Sequence, residues 1–352
     1  MRTLDVETPA VLVDLDVVEA NILRAQRLFD GLGKGFRPHI KTHKIPYLAR
    51  LQMQAGAVGI ACQKISETEV FAADDFGDVL LCYNLLSAEK IARARVLAEL
   101  GQITVVADNA DVVAAFSAGM AGSTAQLRVL VECDTGMGRC GVQSPEAARD
   151  LARLIANSKG LRFGGLMTYP KPDDELQVQA FLSAARDLCA PDVGPCDIIS
   201  SGGTPSLDKA ALAPCITEYR AGTYIYNDRS LIARGACAVS DCALTVLTTV
   251  VSRPTPDRAI LDAGSKTLTS DLFGLQGYGM LRDYPEAQIA GLSEEHGTVD
   301  LRPSLRRPKI GEKVHVIPNH CCPVSNLTDR VIFHRRGEVI RAEDVAARGC
   351  VT

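Results

Sequence analysis

No run of about 18 apolar residues occurs in the 352-residue chain, so no segment has the length to span a bilayer as a helix. The amino terminus, MRTLDVETPA, has none of the apolar core of a signal peptide, and there is no low-complexity tract. Basic residues form no stripe. The formal net charge is −4, and the charges are interspersed, with only short basic clusters such as Arg302 to Lys309. That leaves no electrostatic footprint for a nucleic acid or a membrane surface. These absences predict a cytoplasmic protein with a small-molecule partner.

Cysteine is not scarce, at twelve residues, but the pattern of a disulfide framework is missing. The cysteines are scattered, and several lie inside apolar runs (Cys62, Cys82, Cys133), where the thiol behaves as a small hydrophobe. Most are expected to be reduced core residues. With 47% hydrophobic residues, the chain can bury a sizeable core, and its length suggests two domains.

From residue 9 to 235 short apolar runs alternate with longer helical patterns. The runs are FRPHI, AVGIAC, DVLLCY, ITVVAD, LRVLVEC, FGGLMTY, CDIIS and ITEYRAG, with helix-compatible segments such as LSAEKIARARVLAEL between them. Eight βα units predict an α/β fold of the (β/α)8 TIM type. Beyond residue 235 the β-branched runs CALTVLTTVVSR, AILDAG, EKVHVIP and RVIFHRRGEVIRAE are separated by Pro, Gly and Asp turns. They predict a mostly antiparallel β domain over 236–352, with residues 1–8 as a possible addition.

Barrel enzymes build their sites at the carboxy ends of the strands. Several such ends are polar here: Lys41, Thr42, His43 and Lys44 after the first strand, Gln63 and Lys64 after the second, Asp134 and Arg139 after the fifth. Thr168 and Tyr169 end the sixth, Ser201-Gly202-Gly203-Thr204 the seventh and Gly222-Thr223-Tyr224 the eighth. A lone lysine of this kind is commonly a solvated loop residue. At a barrel mouth among other cations, however, Lys41 is suited to attack an aldehyde as an amine, the requirement for holding pyridoxal phosphate. A Gly-Gly-Thr can be no more than a tight turn, but two neighbouring strand ends with glycine and a hydroxyl favour a phosphate cup.

The third signal is PNHCCPVSNL, Pro318 to Leu327. As a strand it would set His320 and Cys322 on one face at i and i+2, an imidazole and thiolate pair suited to zinc, and turn Cys321 inward as packing. A buried cysteine pair beside a capped turn is the plainer alternative.

RPHIKTHK, CQKISE, ECDTGMGRCGV, SGGTPS, LDAGSK, LSEEHG and PNHCCPVSNL together resemble the D-threonine aldolase and D-serine dehydratase family of pyridoxal-phosphate enzymes. The resemblance covers nearly the whole chain, in order. It implies an alanine-racemase-like barrel, a carboxy-terminal β domain carrying a metal motif, and a homodimer. By motif, Lys41 would anchor pyridoxal 5'-phosphate and Arg139 would approach the pyridine nitrogen. Gln63, Ser201, Gly203, Thr204, Gly222, Thr223 and Tyr224 would hold the cofactor and its phosphate, with Tyr169 beside the ring or substrate. His320 and Cys322 would bind a divalent metal (Zn, Mn or Mg).

The activity implied is a metal-assisted lyase acting on D-3-hydroxy amino acids. Retro-aldol cleavage to glycine and an aldehyde comes first, and D-serine or 3-hydroxy-D-aspartate dehydration to a 2-keto acid and ammonia is the alternative. An amino-acid racemase and a non-catalytic pyridoxal-phosphate protein share the barrel. ECDTGMGRCGV and CQKISE look more like the aldolases, whereas His-x-Cys looks more like the dehydratases. The family's histidine after the sixth-strand tyrosine is replaced by Pro-Lys-Pro-Asp-Asp, which leaves His43, a water on the metal or Asp271 as proton acceptor.

Overall fold

A computed structural model describes all residues, 1–352, and divides the chain into two compact units that interleave in sequence. One comprises residues 25–41, 46–222 and 350–352; the other comprises 1–24, 42–45 and 223–349. The division expected from sequence, at 9–235 and 236–352 with residues 1–8 as a possible addition to the latter, has fewer crossings. The strand Ala10–Asp14 shows why the units interleave more: it runs antiparallel to Leu244–Thr255 and parallel to Arg330–Arg335. AVLVD is an apolar run that fits a barrel or a sheet equally well, and only its pairing partners tell them apart.

In the first unit eight parallel strands form the barrel. Their order is Gly35–Phe36, Glu218–Tyr219, Ile198–Ser201, Leu161–Thr168, Leu127–Cys133, Ile103–Ala107, Val79–Leu81 and Ile60–Cys62. A parallel bridge between His39 and Ala61 links the last strand to the first. Val79–Leu81 and Ile103–Ala107 are buried at every position, as strands covered on both faces must be.

The helices follow local rules. Pro145–Ala156 starts with Pro at its first position, Ser144 accepts the Ala147 N–H, and Ala148, Leu151, Ala152 and Ile155 form its buried stripe. Ala61, Leu80, Cys82, Val106, Leu130 and Met167 form an apolar cluster. A buried ionic network also runs through this unit. Arg37 Nε donates to both Glu218 oxygens at 3.0 Å, and Ser200 Oγ donates to Glu218 at 2.6 Å.

In the second unit six strands close on themselves. Arg258–Leu261, Gly297–Asp300, Gln288–Leu292, Met280–Leu281, Lys313–Ile317 and Leu244–Thr255 are neighbours in that order, and Leu244–Thr255 also pairs with Arg258–Leu261. Ala10–Asp14, Arg330–Arg335 and Glu338–Asp344 extend the sheet beyond it. All contacts but one are antiparallel, as expected. No helix is long and apolar enough to cross a membrane.

Candidate active site

Lys41 lies in the one-turn 3-10 helix Ile40–Thr42 that follows the first barrel strand, and it is half-buried. Its Nζ is 5.9 Å from the centre of the Tyr169 ring, and the Arg139 guanidinium is 4.6 Å from the same ring. One aromatic face, just past the end of Leu161–Thr168, thus gathers two of the expected cofactor residues. Gln63 is tied on two sides: Oε1 meets His39 Nε2 at 3.2 Å, and Nε2 donates to the Cys82 carbonyl at 2.8 Å. Burial, and then the charges of Lys41 and Arg220, hold His39 well below the ordinary imidazole range, so its ring is neutral.

The SGGT segment divides its two glycines by role. Gly202 has φ +149°, and a Cβ there would fall 1.9 Å from the Arg220 carbonyl oxygen, so close backbone packing requires glycine. Gly203 is open: a Cβ would meet nothing nearer than 3.8 Å and would lie 3.9 Å from Tyr169 Cε2. The bare backbone therefore leaves room beside the ring that Lys41 and Arg139 approach. That room, an amine and hydroxyl-bearing strand ends fit a pyridoxal phosphate. Thr204, next in the chain, begins the helix Thr204–Leu212, and Ser201 ends its strand. Gly222 ends this unit's part of the eighth repeat, and Thr223 and Tyr224 open the turn Thr223–Ile225 of the other unit. There the Thr223 hydroxyl is 3.9 Å from Cys322 Sγ.

In the β unit, His320 and Cys322 do come together, but not on a strand. The strand ends at Ile317, His320 caps the helix Cys321–Leu327, and Cys322 is that helix's second residue. Pro323 fits the first helical turn, where its missing N–H costs nothing, and this local signal favours a helix start over a continued strand.

His320 Nδ1 meets Asp228 Oδ2 at 2.9 Å, and the same oxygen accepts the Cys321 N–H at 3.1 Å. Burial disfavours charge on His320, yet Cys322 and Asp228 lift it to about 10. The Cys322 thiol is held well below its usual range by the Cys321 hydrogen bond, with His320 and Thr42 adding to it, while burial pushes Cys321 up. A fully buried carboxylate orienting an imidazole beside a thiolate is a donor set that fits a borderline-soft divalent ion such as zinc. Asp228 is engaged with the imidazole and the Cys321 N–H, so His320 and Cys322 would be the residues to hold it.

Two expectations for the proton acceptor change. His43 is fully buried, its Nδ1 accepts the Ile45 N–H at 3.0 Å, and its ring lies edge-on to Tyr226. That burial leaves its ring without exposure to solvent. Asp271 Oδ1 accepts the Phe273 N–H at 3.0 Å and closes a turn. Sequence reasoning missed Asp228, Arg220 and Glu132. Arg220 donates to the Thr168 carbonyl at 2.6 Å and also to Ser200. Glu132 is only 4% exposed; burial raises its pKa while Arg139 opposes the shift. Arg220 and Glu132 were visible as charges inside apolar strand runs, EYRAG and VLVEC.

Comparison with known proteins shows the family. Residues 13–230 match the family model "Alanine racemase, N-terminal domain", and residues 243–334 match "Putative serine dehydratase domain". A D-threonine aldolase from Arthrobacter sp is 34% identical, over 98% of this chain and 93% of the relative. A D-threo-3-hydroxyaspartate dehydratase from Delftia sp. is 30% identical, over 91% and 92%. The crystal structure of D-threonine aldolase from Filomicrobium marinum superposes with a TM-score of 0.88 at 31% identity, covering 99% of this chain and 98% of that one. The chain belongs to the D-threonine aldolase and D-serine dehydratase family, pyridoxal-phosphate lyases built on the alanine-racemase fold.

Proposed function

We propose that this chain cleaves D-3-hydroxy amino acids by a metal-assisted retro-aldol reaction, giving glycine and an aldehyde. The observation that carries the lyase reading is the His320, Cys322 and Asp228 cluster, whose donors fit the metal that both lyase outcomes call for and the racemase reading does not. The relatives' names support the substrate class. When bound, pyridoxal phosphate takes up the electron pair released at Cα, and the metal ion polarises the substrate hydroxyl.

The chain's own residues do the rest. Lys41 would supply the amine that takes the cofactor aldehyde, and Arg139 and the Tyr169 ring would position the cofactor ring. Ser201, Gly203, Thr204, Gly222, Thr223 and Tyr224 would bind its phosphate, and Gln63 would brace the mouth through His39. His320 and Cys322 would hold the metal, with Asp228 fixing the imidazole. Twelve free thiols suit a reducing cytoplasm, and the working form is a homodimer.

Dehydration of D-serine or 3-hydroxy-D-aspartate is the second reading, and the sulfur ligand Cys322 favours it. The lyase class is tested by chelation and by removing the anchor. EDTA should abolish turnover and zinc or manganese should restore it, while Lys41→Ala should lose the visible cofactor band. Activity that survives EDTA, with Cα proton exchange and no bond cleavage, would make the protein a racemase and overturn the reading.

A further inference from the structure

The Cys322 sulfur lies 3.2 Å from the hydroxyl of Thr42, a fully buried residue. A sulfur bound to a metal can only accept, so in the loaded protein the Thr42 O–H is the donor. Thr42 closes the three-residue turn Ile40–Thr42, whose middle residue is Lys41. In so short a turn, fixing one side chain restrains the backbone of its neighbours. The adjoining residues reinforce the tie. Lys44 has φ +57°, and its Nζ donates to Asn326 Oδ1 at 2.8 Å, one helical turn beyond Cys322. The segment 42–45 is thus fastened to the helix Cys321–Leu327 at two points, residues 322 and 326. Thr223, at 3.9 Å, is a second and longer hydroxyl contact to the same sulfur.

The geometry points to Thr42 as a positioning residue that couples metal occupancy to cofactor capture. Its hydroxyl aims the Cys322 sulfur at the metal, and a metal that fixes the sulfur fixes Thr42 and with it the turn bearing Lys41. This rests on the proposed function for the identities of the metal ligands and the anchor. Coupling of this kind is reciprocal: whatever factor the metal adds to cofactor affinity, the cofactor adds to metal affinity.

The test is equilibrium binding of pyridoxal phosphate, followed by its visible absorbance, and of zinc, followed by dialysis, each with and without the other ligand. In the wild type each ligand should tighten the other by the same factor, at least about fivefold. Thr42→Val should bring that factor close to one and weaken zinc about 10- to 100-fold, as losing a metal ligand's hydrogen-bond partner does, while Thr42→Ser retains both. Equal coupling in the wild type and Thr42→Val would overturn the proposal. So would a wild type that binds both ligands independently, an outcome that needs no variant to fold. A wild type that binds no zinc would overturn this together with the metal reading. One that cleaves D-threonine with zinc but shows no coupling would overturn this alone.

Discussion

The basic residues of RPHIKTHK separate by environment into different tasks. Arg37 is 3% exposed and is neutralised by Glu218 and Asp78. His39 is neutral and His43 is fully buried, which leaves Lys41 as the half-buried amine at the mouth. At the proposed metal site the decisive residue for pH is His320. Its folded pKa of about 10 lies above the ordinary 6.5, so the metal-free protein holds that proton through neutrality. The stability gained from it is complete below pH 6.5 and is lost as pH rises through 10. A metal must displace the proton, so zinc affinity of the apo-protein should climb about tenfold per unit between about pH 7 and 9. Zinc titrations at several pH values check this, and a flat profile would mean that His320 is not a ligand.

At the scale of elements, most of the barrel strands were legible because they are buried apolar runs bounded by turn residues, whereas Gly35–Phe36 and Glu218–Tyr219 are two-residue strands. The metal motif was legible in composition but not in shape. HVIPNHCC has strand-like residues, yet Pro323 and a histidine cap turn it into a helix start. Asp228 could not be found from spacing, since it lies 92 residues from His320 and meets it only through the fold. The SGGT loop shows the same limit. Two adjacent glycines look alike in sequence, but Gly202 serves backbone packing and Gly203 serves space. Gly202→Ala should therefore cost about 2–4 kcal/mol of stability through the close approach to Arg220 and the unfavourable φ. Gly203→Ala should leave the melting temperature unchanged and weaken pyridoxal phosphate binding instead. Thermal melts paired with cofactor titrations separate the two, and matching effects would refute the division of roles.

At the scale of the whole molecule, the sequence showed both kinds of architecture but not how the chain distributes itself between them. Ala10–Asp14 and residues 42–45 belong with the β unit although they lie far upstream of it, because compact units are set by pairing and packing partners rather than by order along the chain. The same long-range placement sets Thr42 against Cys322 of the helix Cys321–Leu327. The central claim is that this arrangement serves carbon–carbon bond cleavage. Its most direct test is product analysis: incubate the zinc-loaded holoprotein with D-threonine and quantify the products. Glycine and acetaldehyde in equal amounts, with neither formed from L-threonine, is the result predicted. A 2-keto acid with ammonia, and no glycine, would contradict it.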